Sequence, residues 1–79
     1  MEPYKNLSGK SGIAYYKIGD DHIWVQFFNG KYRNYRYSNA SAGADNIAQM
    51  KQLASYGQGL NSFIVKNPDV RDGWDRREP

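Results

Sequence analysis

Between Trp24 and Tyr37 the chain interleaves flat rings with cations: Trp24, Lys31, Tyr32, Arg33, Tyr35, Arg36 and Tyr37. No acidic residue occurs from His22 through Ala44. Rings stack on bases and cations neutralise phosphates, so the pattern suits a single-stranded nucleic acid. Covalent chemistry finds less support. His22 is the only histidine and there is no cysteine, which leaves too few donors for a zinc site. Asp20 and Asp21 are adjacent and point different ways, so they read as turn formers rather than paired catalytic carboxylates. No serine sits in a nucleophile elbow. Ser8-Gly9-Lys10-Ser11-Gly12 lacks the spacing of a phosphate-binding loop. Gly57-Gln58-Gly59-Leu60-Asn61-Ser62 can offer backbone N–H groups to an anion, but a tight connection between helices, capped by Asn61, is the simpler account. No catalytic residue, metal or cofactor is assigned, and a non-enzymatic role is expected.

The elements that must position these side chains follow from period and punctuation. Ile13–Ile18 is a short β-prone run closed by a Gly19-Asp20-Asp21 turn. Residues 22–28 and 31–37 read as two further strands joined at Asn29-Gly30, a strong hairpin signal. The register decides the faces. A two-residue turn pairs Phe28 with Lys31 and places Arg36 among the apolar residues. A three-residue loop, with Gly30 left-handed, pairs Phe27 with Lys31 instead. It gathers Ile23, Val25, Phe27, Tyr35 and Tyr37 with Arg33, and turns His22, Trp24, Gln26, Tyr32, Asn34 and Arg36 outward. That register sorts apolar from polar better and is the expected one. Tyr35 and Tyr37 then belong to the core, while Trp24, Lys31, Tyr32, Arg33 and Arg36 form the candidate nucleic-acid surface. The competing account is that the tail, through Trp74, or a second copy of the chain covers the outward rings.

Ile47, Met50, Leu53 and Ala54 predict a helix over 44–56 that stops at Gly57, and Leu60, Phe63 and Ile64 predict one or two further turns before Asn67-Pro68. The expected fold is α+β: a three-stranded antiparallel β-meander with one main helix and a second short helix packed on one face. A sheet this small needs such a cover. Its 79 residues make one domain. Residues 1–11 are expected to be a flexible lead-in, 12–67 the domain, and 68–79 a charged, mostly disordered tail. Net charge is +3, and residues 22–68 alone carry +4, so the excess lies on the expected core. That excess favours anionic partners weakly. The lack of cysteine, of a long apolar run and of a signal-peptide core fits a cytoplasmic protein without membrane contact.

The order of these elements resembles the KTSC domain, a short bacterial domain found at the C-terminus of some lysyl-tRNA synthetases and also free-standing. The resemblance spans roughly Gly12 to Asn67. It rests on the Asn-Gly hairpin, Tyr35-Arg36-Tyr37 matching the family's central Tyr-x-Tyr, the helix, and Gly57-Gln58-Gly59-Leu60-Asn61-Ser62-Phe63-Ile64. In the family the Tyr-x-Tyr often lies closer to the hairpin glycine than it does here. The resemblance implies the same fold, and RNA binding has been proposed for the family from its synthetase context. The expected function is a non-catalytic module binding RNA or single-stranded nucleic acid through a basic-aromatic sheet face. The alternative is protein–protein interaction or homo-oligomerisation through the same rings, the two differing in salt dependence.

Overall fold

The computed structural model describes residues 1–79. Five strands form one antiparallel meander in chain order: β1 (Glu2–Pro3), β2 (Ile13–Ile18), β3 (His22–Phe27), β4 (Asn34–Ser38) and β5 (Trp74–Glu78). Four helices fill the stretch between β4 and β5: α1 (Asn39–Ala42), α2 (Ala44–Tyr56), α3 (Leu60–Lys66) and α4 (Pro68–Arg71). The α+β class is as the sequence suggests, but the sheet has two strands more than the three expected. No helix is long and apolar enough to cross a membrane.

Both extra strands come from segments whose composition reads as loose. Glu2 and Pro3 pair with Tyr16 and Tyr15. The next residue, Tyr4, is buried, and its hydroxyl accepts a hydrogen bond from the Leu60 N–H at 3.3 Å. The lead-in is therefore anchored. At the other end, Asn67-Pro68 closes α3 and opens α4: the Asn67 side chain accepts from the Asp69 N–H, with proline at the first helical position. Val70 on α4 is fully buried. A Cβ at Gly73 would overlap the Asp69 carbonyl oxygen and crowd Ala42, so only glycine lets α4 turn into β5 there. The charged tail is a helical turn and an edge strand.

Between β3 and β4, Ile23 pairs with Tyr37, Trp24 with Arg36 and Val25 with Tyr35. The Phe27 N–H donates to the Arg33 carbonyl at 2.8 Å, so five residues, Phe28–Tyr32, form the loop. The expected three-residue loop is thus two residues too short. Long-range partners override the local Asn-Gly turn: the Phe28 N–H bonds to the Gly12 carbonyl and the Arg33 N–H to the Glu78 carbonyl. An even slip preserves parity, so the side chains of 22–27 and 34–38 keep their expected faces. Tyr32, expected to point outward beside Trp24, falls in the loop instead, on the side of Tyr35 and Trp74.

The core lies between the inner face of the sheet and the helices. Ile13, Tyr16, Ile23, Val25 and Tyr37 meet Ile47, Met50 and Ala54 of α2, Leu60 and Ile64 of α3, and Val70. The α2 residues are spaced three and four apart, one stripe of an amphipathic helix. Gly57, left-handed at φ 92°, ends α2 by donating its N–H to the Leu53 carbonyl. Ser38 and Ser41 cap each other's backbone N–H groups and start α1 directly at the end of β4. This swings the chain sharply onto the inner face. The helices consequently cover one end of the sheet and leave the other, around Phe27, Tyr35 and Trp74, half open.

Candidate nucleic-acid interface

At that half-open end a groove of about 580 Å³ runs between the sheet and α3. Its floor is aromatic: Phe27, Tyr35, Tyr37 and Trp74. Tyr35 is the hub. Its ring meets Phe27 edge-on at 5.7 Å and Trp74 edge-on at 5.8 Å, and lies stacked beside Tyr37 at 6.5 Å. Such pairs contribute about 0.5–1.5 kcal/mol each beyond their burial, so the floor is held together by its own ring contacts. One wall is the β3–β4 loop, including Lys31 and Tyr32, and the other is Asn61 and Ile64 of α3 with Arg71 of α4.

No carboxylate lines the groove, whereas Lys31 and Arg71 do. A further cation bridges its rim: the Arg77 guanidinium lies over the Tyr32 ring at 4.2 Å and over the Trp74 ring at 4.5 Å. Lys31 adds its ammonium at 5.7 Å from the Tyr32 centroid. Guanidinium and ring faces attract because the quadrupole presents negative charge to the cation. Arg77 shares Tyr35's ladder position, which aims it to the groove side. Arg71 has Asp72 3.5 Å away at the solvent surface, a weak exposed pair.

The outer face of the sheet is different. Trp24 and Arg36 lie there, opposite each other across the ladder. Arg36 donates to the Asp75 carboxylate at 2.7 Å, with Asp21 4.0 Å away. Arg76 pairs with Glu78 at 3.0 Å. The two arginines of this face are thus matched by carboxylates, while Lys17, opposite Trp24, has no such partner. His22 bonds to Asp21 through Nδ1 at 2.9 Å; that bond first, then the charges of His22 and Arg36, hold the Asp21 carboxyl below the usual range. The lone histidine serves the turn, its ring packed against Gly19.

The residues singled out in the sequence therefore divide between two surfaces. Lys31 and Tyr32 belong to the groove, Arg33 is exposed and does not line it, and Trp24 and Arg36 are on the far side of the sheet. Tyr35 and Tyr37 face the helices, as the register reading requires. Tyr37 is buried, but Tyr35 is only partly so and floors the groove. The sequence offers Trp74 only as a cover for the outward rings and does not single out Arg71 or Arg77, because a charged tail of this composition reads as disordered. The signal that finds them is the Asn67-Pro68-Asp69 cap, which announces a helix and with it an ordered continuation.

Comparison with known proteins supplies no relative: no family model, curated protein or solved structure matches the chain at a significant level.

Proposed function

We propose that this chain is a non-catalytic module that binds single-stranded nucleic acid, RNA foremost, in the groove between β4, β5 and α3. One observation carries the reading: an aromatic floor is combined with Lys31 and Arg71 and no carboxylate. A cationic peptide would be repelled by that rim. A purely apolar partner would leave its charges unpaired, whereas a nucleotide offers a flat face for the rings and a phosphate for the cations. Membership of the KTSC family and a cytoplasmic setting belong to the same proposal. The family resemblance rests on the order of its motifs.

Affinity is bounded by simple magnitudes. Stacking supplies about 1–3 kcal/mol per base, and association costs at least ~4 kcal/mol, so phosphate contacts must provide the surplus. The expected dissociation constant is micromolar or weaker. Three cations on phosphates, Lys31, Arg71 and Arg77, give a log–log salt slope near about −2 for a single strand. Fluorescence anisotropy with a labelled octauridylate, repeated across salt concentrations, tests both numbers. A titration at low salt with no binding below millimolar rejects the nucleic-acid reading. Protein interaction through the same rings then takes its place.

A further inference from the structure

Buried tyrosines ordinarily give their hydroxyl a partner. Two in this fold follow the rule: the Tyr4 hydroxyl accepts from Leu60, and the Tyr16 hydroxyl donates to the Glu2 carboxylate at 3.4 Å. Tyr37 does not. Only 2 % of it is exposed, and its accessible edge lines the groove. Its hydroxyl makes no hydrogen bond within the chain, yet no side-chain oxygen or nitrogen is sealed away unpaired anywhere in the fold. The hydroxyl therefore keeps a sliver of accessible surface, and the groove is the opening that Tyr37 lines. A phenylalanine would fill the same core space without the polar atom. Packing alone therefore does not explain the oxygen.

From this geometry we infer that the Tyr37 hydroxyl is the hydrogen-bonding group that reads a nucleobase at the floor of the groove. This rests on the nucleic-acid reading above. A base lying against the Tyr35 ring brings its polar edge toward Tyr37, which is stacked beside Tyr35 with an interplanar angle of 24°. The hydroxyl then donates to a carbonyl or ring nitrogen on that edge. Burial, with the neighbouring Tyr35 adding to it, raises the ionisation of Tyr37 far above the ordinary tyrosine range, so the group keeps its proton at any physiological pH. The phosphates remain with Lys31 and the arginines on the rim. Tyr37 is thus a specificity-determining residue, and the rim supplies the sequence-independent attraction.

The test is Tyr37→Phe, measured by anisotropy against a labelled octauridylate and against an abasic strand of equal length, together with a thermal melt. The substitution should weaken octauridylate binding by about three- to tenfold, the equivalent of one net hydrogen bond. It should leave the abasic strand unaffected and the melting temperature unchanged or raised. Equal binding of octauridylate by both proteins overturns the role of Tyr37 and leaves the groove reading intact. An equal loss for both strands assigns the hydroxyl to phosphate and overturns the base reading. A lowered melting temperature overturns the premise that the hydroxyl lacks an internal partner. If the parent protein binds neither strand, the functional reading itself fails and takes this inference with it.

Discussion

The two faces of the sheet carry similar residue types and differ in what surrounds them. On the outer face Trp24, Arg36 and Arg76 sit among Asp21, Asp75 and Glu78, and the arginines are spoken for by carboxylates. On the inner face the groove has a comparable set, Trp74, Tyr32, Lys31, Arg71 and Arg77, with rings rather than carboxylates as the nearest neighbours of Arg77. A cation over a ring keeps most of its charge available to a third party, whereas a cation in an ion pair does not. Composition alone therefore does not locate a binding surface. The partner of each cation does.

The largest expected effect breaks the groove by removing its wall. Ending the chain after Pro68 deletes α4 and β5. Fully buried Val70 alone represents about 1.5–3 kcal/mol, Trp74 a comparable amount, against a total near ~5–15 kcal/mol for a small domain. The truncated chain should lose about 3–6 kcal/mol and its cooperative melt in circular dichroism. A melt within a few degrees of the full chain would show that β5 is dispensable.

Next come the two tryptophans, one on each face. Trp74→Ala removes a partner of Tyr35 and of Arg77, and should cost about 2–3 kcal/mol of stability, below the fully buried range because Trp74 is only partly covered. It should also weaken octauridylate binding at least ~tenfold, the loss of a stacked ring. Trp24→Ala should cost under ~1 kcal/mol and leave binding within about twofold. Reversal of that order would move the site to the outer face.

A smaller effect separates the cations. Lys31→Ala or Arg71→Ala should each flatten the salt slope by about 0.7. Arg36→Ala should leave the slope unchanged and cost no more than about 1 kcal/mol, because it removes a partly exposed ion pair. Salt-dependent titrations of the three variants check this directly.

The smallest effect concerns pH. Tyr37 ionises far more reluctantly in the fold than in the unfolded chain, where the ordinary value is 10.0. Above that pH the unfolded state releases a proton that the folded state keeps. Stability is therefore whole below pH 10 and falls as pH rises past it. Tyr37→Phe should show a shallower alkaline decline than the parent protein in denaturant melts at pH 9 and 11; matching declines would place the titration elsewhere.

The parts legible in the sequence are those held by local pattern. Ile47, Met50 and Ala54 mark α2 by spacing, and the alternation in 22–27 and 34–38 assigns faces correctly even though the loop length was misjudged. Parity survives a two-residue error, which is why Tyr35 and Tyr37 were placed on the inner side. The rest depended on distant partners. Trp74-Asp75-Arg76-Arg77-Glu78 reads as a solvated tail because its charges are satisfied only in three dimensions, Asp75 by Arg36 and Arg77 by two rings. Tyr4 is similarly opaque, since its partner is Leu60. Half of the groove was hidden for the same reason.

β5 also sets the order of events as the chain folds. Asn34 donates to the Pro79 carbonyl across 45 residues, and Arg36 reaches Asp75 across 39. Pairings of such long sequence separation form late, after the costly loop between them has closed. β2, β3, β4 and the helices can meet before β5 docks, but Tyr32 then has no Arg77 and the floor has no Trp74. The groove is therefore the last part of the fold to be completed: a chain whose β5 has not docked has its helices and inner strands but only half of the aromatic floor.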